Sequence, residues 1–175
     1  MFYIYIVPIS GQGLGCIEEL QRCVEHAFGV KTKCRAFNVN LPDTFDPHRK
    51  QYNSSLILRQ LIAAPPADAY KILGITGMDL FIPILTYVFG EAQLDGIGAV
   101  VSLHRLNNQF YGLPENPGLM HDRLLKEAVH ELGHTFGLLH CFHPGCVLNA
   151  STYVEDIDQK SRELCFTCRE TIRLK

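Results

Sequence analysis

The chain has 175 residues, a formal net charge of -2 and 47% hydrophobic residues. This length suits one well-packed domain or at most two closely joined subdomains, and the apolar content excludes a disordered chain. The charge balance and the lack of a basic cluster argue against a nucleic-acid-binding protein, and no apolar run approaches the length of a membrane span.

The chain opens with a predicted buried strand at residues 1–8. A glycine-rich turn at positions 11, 13 and 15 leads from it into a predicted helix that ends near Phe28. The turn lacks the Lys-Ser/Thr of a phosphate-binding loop and misses the spacing of a dinucleotide fingerprint. Nucleotide binding is therefore not expected. The short apolar N-terminus also lacks the basic leader and cleavage site of a signal peptide, so we expect a cytoplasmic protein.

Further strands are predicted at residues 30–39, 70–75, 88–92 and 99–103. Between the first two of these strands, a helix is predicted at residues 54–63, where the following Pro-Pro pair prevents its continuation. Strands that alternate with helices are typical of an α/β fold. We therefore expect a mixed, mainly parallel sheet with helices packed against it.

A longer amphipathic helix is predicted to begin after Pro117-Gly118 and to stop at Gly137. A glycine can take the left-handed conformation that ends a helix. Apolar residues recur at three- and four-residue steps along this segment, as in a helix with a buried face: Leu119, Leu124, Leu125, Ala128, Val129 and Leu132.

The end of this helix carries a metal-binding motif, because residues 130–140 read His-Glu-Leu-Gly-His-Thr-Phe-Gly-Leu-Leu-His. His130 and His134 lie one helical turn apart on the same face, and the turn at Gly137 can return His140 as a third ligand. Three protein ligands leave a tetrahedral zinc ion with one open position, which is typical of a catalytic site. Glu131 would then lie beside the metal and not on it.

Four cysteines follow the motif as a CxxxxC pair and a CxxC pair: Cys141, Cys146, Cys165 and Cys168. Four thiolates at this spacing suit a closed, structural zinc site that contributes folding free energy. Three alternatives stay open: disulfides, His143 in place of Cys141 as a ligand, and Cys141 as a fourth ligand that closes the catalytic site. The odd total of seven cysteines and the absence of a secretory signal disfavour disulfides.

The histidine motif and the four cysteines together resemble the archaemetzincins, a family of metzincin-like zinc peptidases, as do residues 74–80 and 88–92. The resemblance implies a metzincin-like fold: a twisted, mixed, mainly parallel sheet with backing helices, a zinc-binding active-site helix and a small zinc-stapled C-terminal subdomain. It also implies that residues 86–92 form a strand antiparallel to its neighbours that receives the substrate backbone; from the residues alone, an ordinary edge strand stays an open alternative. The resemblance further implies three sets of residue roles: His130, His134 and His140 as ligands of a catalytic zinc, Glu131 as the general base, and Cys141, Cys146, Cys165 and Cys168 as ligands of a second zinc.

One position departs from the family's pattern. Metzincins place a methionine in a tight turn beneath the catalytic zinc, and this chain has Leu148 there. Leucine conserves volume and apolarity, so we expect the base of the site to survive at a cost below about 1.5 kcal/mol.

The sequence therefore predicts a peptidase that holds two Zn2+ ions per chain and hydrolyses peptides or proteins with a zinc-bound water and Glu131 as base. We expect one monomeric domain, residues 1–175, with subdomains at 1–137 and 138–175, and neither nucleic acid nor membrane as a partner. Two other hypotheses compete with this one. The first is a non-catalytic two-zinc scaffold with an idle histidine site, which Leu148 favours, and the second is a redox sensor built on Cys165 and Cys168.

Overall fold

The structure is a computed structural model that describes residues 1–9 and 17–173. In chain order its strands and helices are β1 (Tyr3–Pro8), α1 (Ile17–Phe28), β2 (Thr32–Cys34), β3 (Phe45–Asp46), β4 (Gln51–Asn53), α2 (Ser54–Leu61), β5 (Ala69–Thr76), β6 (Leu80–Phe81), β7 (Gly90–Ala92), β8 (Gly98–Ser102), α3 (Pro117–Thr135), α4 (Val154–Gln159) and α5 (Phe166–Arg173). The predicted glycine-rich turn at Gly11, Gly13 and Gly15 lies outside the described residues, and so does Cys16.

The main sheet has five strands in the order β2-β1-β5-β8-β7. Four of them are parallel, and β7 runs antiparallel to β8 at one edge. Alternate residues of β1 face opposite layers of the core: Ile4 and Ile6 pack with α1 and α3, whereas Tyr5 and Val7 pack with α2. The prediction of a mixed, mainly parallel sheet with helices against it is confirmed, and the strand near residues 86–92 is antiparallel as expected.

Two parts of the sheet differ from the prediction. The strand predicted at residues 30–39 is only three residues long, since its ladder with β1 ends where Arg35 N donates to Ile6 O. Beyond that point the alternating Phe37 and Val39 pack on the α2 side of the core from a loop. A small second sheet, in the order β3-β4-β6, was not predicted because its strands have only two or three residues.

Helix α3 begins and ends close to the predicted positions. Pro117 occupies its first turn, and the side chain of Asn116 accepts a hydrogen bond of 3.0 Å from Leu119 N, which caps the N-terminus. Gly137 follows the helix with a φ of 79°, the left-handed conformation that glycine permits. The ammonium of Lys71, in β5, donates to Thr135 O at 2.7 Å and so satisfies a carbonyl of the last turn.

Ion pairs hold the C-terminal segment against α3. The guanidinium of Arg123 donates two hydrogen bonds of 2.7 Å to the carboxylate of Asp158, and Lys160 pairs with Glu127 at 2.8 Å. Helices α4 and α5, of six and eight residues, were not predicted. The division into subdomains at residue 137 stays a prediction. None of the helices in the described part of the chain is both long and apolar enough to cross a membrane.

The N-terminal cap of α3 gives a prediction for stability. Replacing Asn116 by Ala should lower the free energy of unfolding by about 1 kcal/mol, because the N–H of Leu119 loses its acceptor. Asn116→Asp is the matched control and should keep the stability, since aspartate also caps helices. Chemical denaturation measures both variants. Equal stability of the alanine variant and the unchanged protein would contradict the cap.

Candidate metal centre

Three histidines form a cluster at the end of α3, which we call the histidine cluster: His130, His134 and His140. One ring nitrogen from each lies within 4.8 Å of the others. The Nε2 atoms of His130 and His134 are 3.1 Å apart. Two nitrogens on one tetrahedral zinc, with bonds of about 2.0–2.1 Å, would be about 3.3 Å apart. The structure thus brings together the three histidines that the sequence singled out, at a spacing that fits one ion.

The rings of two of these histidines are held by backbone carbonyls. Nδ1 of His130 lies 2.8 Å from Val147 O, and Nδ1 of His134 lies 2.7 Å from Leu138 O. A carbonyl only accepts, so each Nδ1 carries a proton and each Nε2 keeps its lone pair for a metal. Burial lowers the pKa of the His130 imidazole well below its ordinary value, with the cation of Lys160 acting in the same direction. The neutral ring is the form that binds metal.

Glu131 is buried beside the histidine cluster and lies against β7. Burial raises the pKa of its carboxyl well above the ordinary value, and the carboxylate of Glu127 raises it further. A Cβ on Gly90 would lie 2.6 Å from Glu131 Cγ and 2.7 Å from Val100 O. Only glycine therefore lets β7 approach this glutamate so closely. Sequence reasoning placed Gly90 in the strand at residues 88–92 but missed its contact with Glu131, because nothing in its spacing links it to the histidine motif.

Leu148 packs against Gly133 of α3, a residue that lies between His130 and His134 in the sequence. It is fully buried, and its two methyl groups would lie 3.2 and 3.3 Å from a Cβ on Gly133 of α3. The neighbouring residue, Val147, supplies the carbonyl that holds His130. The turn that contains Val147 and Leu148 therefore packs against α3 through the leucine side chain. Its backbone carbonyl at Val147 contacts a candidate metal ligand, His130.

A cleft of about 560 Å³ opens over the histidine cluster and Glu131. Residues 85–90 and residues 150–153 contribute to its walls, and α3 contributes Glu127, His130, Glu131 and His134. The hydroxyl of Tyr87 donates to Thr152 O at 2.7 Å and joins these two wall segments. Leu85 and Tyr153 also line the cleft, and both remain exposed to solvent.

The four C-terminal cysteines form a second group, the cysteine cluster: Cys141, Cys146, Cys165 and Cys168. The Sγ atoms of Cys141 and Cys165 are 3.8 Å apart, and those of Cys146 and Cys168 are 4.0 Å apart. Sulfurs on one tetrahedral zinc, with bonds of about 2.3 Å, would be about 3.8 Å apart. A disulfide would need about 2.05 Å. These distances fit a four-sulfur metal site and not a pair of disulfides.

The structure bears on two alternatives left open by the sequence: His143 in place of Cys141 as a ligand, and Cys141 as a fourth ligand in the histidine cluster. Cys141 lies with the other three cysteines and is not part of the histidine cluster. His143 is exposed, and its backbone N–H contacts Cys141 Sγ at 3.4 Å. Burial raises the pKa of the Cys146 thiol, and the N–H of Cys165, 3.4 Å from its sulfur, partly offsets that effect.

A buried ion pair behind the histidine cluster was not predicted. Lys160 Nζ lies 2.8 Å from Glu127 Oε1 and 3.3 Å from His130 Nδ1. The side chains of Lys160 and Glu127 are 1% and 3% exposed. The two residues are distant in the sequence, so no spacing pattern reveals their contact. The one available signal was a charged residue, Glu127, among the apolar positions of α3.

The whole chain is similar to known zinc peptidases. The profile of peptidase family M54 matches residues 46–174, which include both clusters. The archaemetzincin of Methanocaldococcus jannaschii is 42% identical over 174 residues, covering 97% of this chain and 95% of that protein. The crystal structure of archaemetzincin from Methanopyrus kandleri has a TM-score of 0.87 at 31% identity, covering 99% of this chain and 94% of that one. The crystal structure of a zinc-dependent peptidase from Methanocorpusculum labreanum has a TM-score of 0.83 at 30% identity, covering 97% of this chain and 99% of that one.

The packing of Leu148 gives a second prediction for stability. Leu148→Met conserves volume, so it should change the free energy of unfolding by less than about 1.5 kcal/mol. Leu148→Ala should lower it by about 2–5 kcal/mol, because it leaves a cavity beneath the histidine cluster. Chemical denaturation compares the two. A methionine variant as unstable as the alanine variant would show that residue 148 does not simply fill space.

Proposed function

The chain belongs to peptidase family M54, the family of the archaemetzincins, and we propose that its histidine cluster holds the catalytic zinc while Glu131 acts as general base. Members of this family are zinc metallopeptidases, so the chain is a zinc metallopeptidase that acts on peptide or protein substrates. The assignment of individual residues and the count of ions are the proposal.

One observation carries the assignment. Ring nitrogens of His130, His134 and His140 converge within 4.8 Å, and the carboxylate of Glu131 is buried in the same cleft. Two of the rings are oriented by the carbonyls of Val147 and Leu138, which supports their assignment as metal ligands.

The proposed chemistry is peptide hydrolysis. When bound, zinc supplies Lewis-acid chemistry, because it lowers the pKa of water toward 7 and polarises a peptide carbonyl. Glu131 accepts a proton from the attacking water, whose oxygen forms the new bond to the carbonyl carbon. As the carbon–nitrogen bond breaks, Glu131 passes that proton to the departing amine nitrogen. Gly90 leaves room for the carboxylate to reach this position against β7.

The outer edge of β7 is the proposed position of the substrate backbone. β7 is the last strand of the main sheet, it lies next to Glu131, and residues 86–90 line the cleft. An extended peptide could add to this edge through main-chain hydrogen bonds.

The cysteine cluster is the proposed site of a second zinc ion. Its four sulfurs complete a tetrahedral set and leave no position for water or substrate, which supports a structural ion. Within this proposal each chain carries two zinc ions with different tasks. The histidine cluster supports catalysis, and the cysteine cluster stabilises the segment from Cys141 to Cys168.

Replacing Glu131 by Gln tests the proposed base. The amide keeps the shape of the side chain but cannot accept the proton, so the rate of peptide hydrolysis should fall by about 10²–10⁴-fold. Mass spectrometry of the native protein should still count two zinc ions, because Glu131 is not a ligand in this assignment. Glu155→Gln, an exposed substitution outside the cleft, is the matched control and should keep the rate. Unchanged hydrolysis by the Glu131→Gln variant would refute this assignment.

A further inference from the structure

A hydrogen bond at the protein surface joins the two walls of the cleft. The hydroxyl of Tyr87 donates to Thr152 O at 2.7 Å, and both residues line the cleft, one from each wall. Thr152 is exposed and Tyr87 is half-buried, whereas His130 and Glu131, which α3 contributes to the cleft, are buried. This bond, which we call the wall bridge, therefore lies on the solvent side of the cleft and not on its floor.

The tyrosine end of the wall bridge is held by its neighbours. The guanidinium of Arg105 lies 4.0 Å from the centroid of the Tyr87 ring, and the ring of Phe89 packs against it in a T-shaped arrangement at 5.6 Å. Arg105 in turn donates two hydrogen bonds, of 2.6 and 2.8 Å, to the carboxylate of Asp79. Contacts of both kinds depend on where the ring lies. The Tyr87 ring cannot swing out of the cleft without losing them.

The backbone end of the wall bridge is held as well. Asp156, in the first turn of α4, accepts hydrogen bonds of 2.8 Å from Thr152 N and from Tyr153 N. The ion pair between Arg123 and Asp158 fixes α4 on α3. Both ends of the wall bridge thus belong to anchored parts of the fold and not to free loops.

The wall bridge is close to the place where the proposed reaction occurs. Gly90 lies against Glu131, since a Cβ on this glycine would be 2.6 Å from Glu131 Cγ. Tyr87 precedes Gly90 by three residues, and three residues span at most about 11 Å. An extended peptide advances about 3.3 Å per residue. A peptide whose reacting bond lies beside Glu131 therefore reaches the wall bridge after at most about three residues.

We propose that the wall bridge closes the cleft on one side of the reacting bond and limits the peptide on that side to about three residues. This inference rests on the proposed function. The protein then removes short pieces from one end of a peptide and does not cut within a long chain. A chain that continued past this point would have to displace the Tyr87 ring from Arg105 and from the carbonyl of Thr152.

Peptides with and without ends test this limit. The probes are peptides of mixed sequence and about 20 residues, long enough for part of a ring to lie extended across the cleft. Each is prepared in linear form and as the head-to-tail cyclic form of the same sequence. Fluorescence anisotropy measures their binding to zinc-loaded E131Q protein. Linear peptides should bind at least about tenfold more tightly than cyclic ones, a difference of about 1.4 kcal/mol.

Three substitutions in the E131Q background locate the preference. Tyr87→Ala removes the ring, so cyclic peptides should bind nearly as tightly as linear ones. Tyr87→Phe removes only the hydroxyl and should reduce the preference several-fold, which keeps the test decisive if the alanine variant does not fold. Tyr111→Phe is the matched control, because the hydroxyl of Tyr111 donates to Arg105 O at 2.9 Å outside the cleft. This control should leave the preference intact.

The outcomes distinguish this inference from the proposed function. Equal binding of linear and cyclic peptides, a preference that survives in both Tyr87 variants, or lack of binding by every linear peptide would overturn the limit. Mass spectrometry of linear peptides incubated with the unmodified zinc protein reports cleavage separately, and each first cut should release a piece of about three residues or fewer. First cuts with long pieces on both sides would retain the peptidase and reject the limit. Selective binding of linear peptides without cleavage would do the reverse.

Discussion

The hydrogen bond between the His130 ring and the carbonyl of Val147 links the two clusters of the molecule. Val147 follows Cys146 directly, so the cysteine cluster fixes the backbone that orients a candidate ligand of the catalytic metal. The N–H of Val147 is in turn held by Glu163 O at 3.0 Å, two residues before Cys165. A metal in the cysteine cluster would therefore stabilise more than a loop. It would hold the carbonyl that sets the tautomer and direction of the His130 ring.

Helix α3 carries charges on its buried face, and two of them have ion-pair partners far along the chain. Arg123 pairs with Asp158, and Glu127 pairs with Lys160. A buried ion pair contributes little net stability compared with apolar packing, but loss of one partner is costly. These pairs therefore fix how α4 and the residues after it sit on α3. They also place the carboxylate of Glu127 in the cleft with its charge balanced by Lys160.

The sequence predicts the parts of this fold that depend on local pattern. Apolar periodicity locates α1, α2 and α3, and the histidine spacing identifies residues that the structure brings together on one turn of α3 and after Gly137. The four cysteines also come together, as their CxxxxC and CxxC spacing predicts. Local pattern does not reveal contacts between distant segments. The small sheet, the burial of Lys160 beside His130 and the approach of Gly90 to Glu131 all depend on tertiary packing. Their residues carry no spacing signal of their own.

Anomalous diffraction at the zinc absorption edge, on crystals of the purified protein, tests the central claim most directly. The account predicts two peaks per chain. One should lie within bonding distance of the Nε2 atoms of His130 and His134 and a ring nitrogen of His140, and the other should lie among the sulfurs of the cysteine cluster. A zinc-loaded crystal with no peak at the three histidines, or with a cysteine sulfur bound to the ion there, would contradict it.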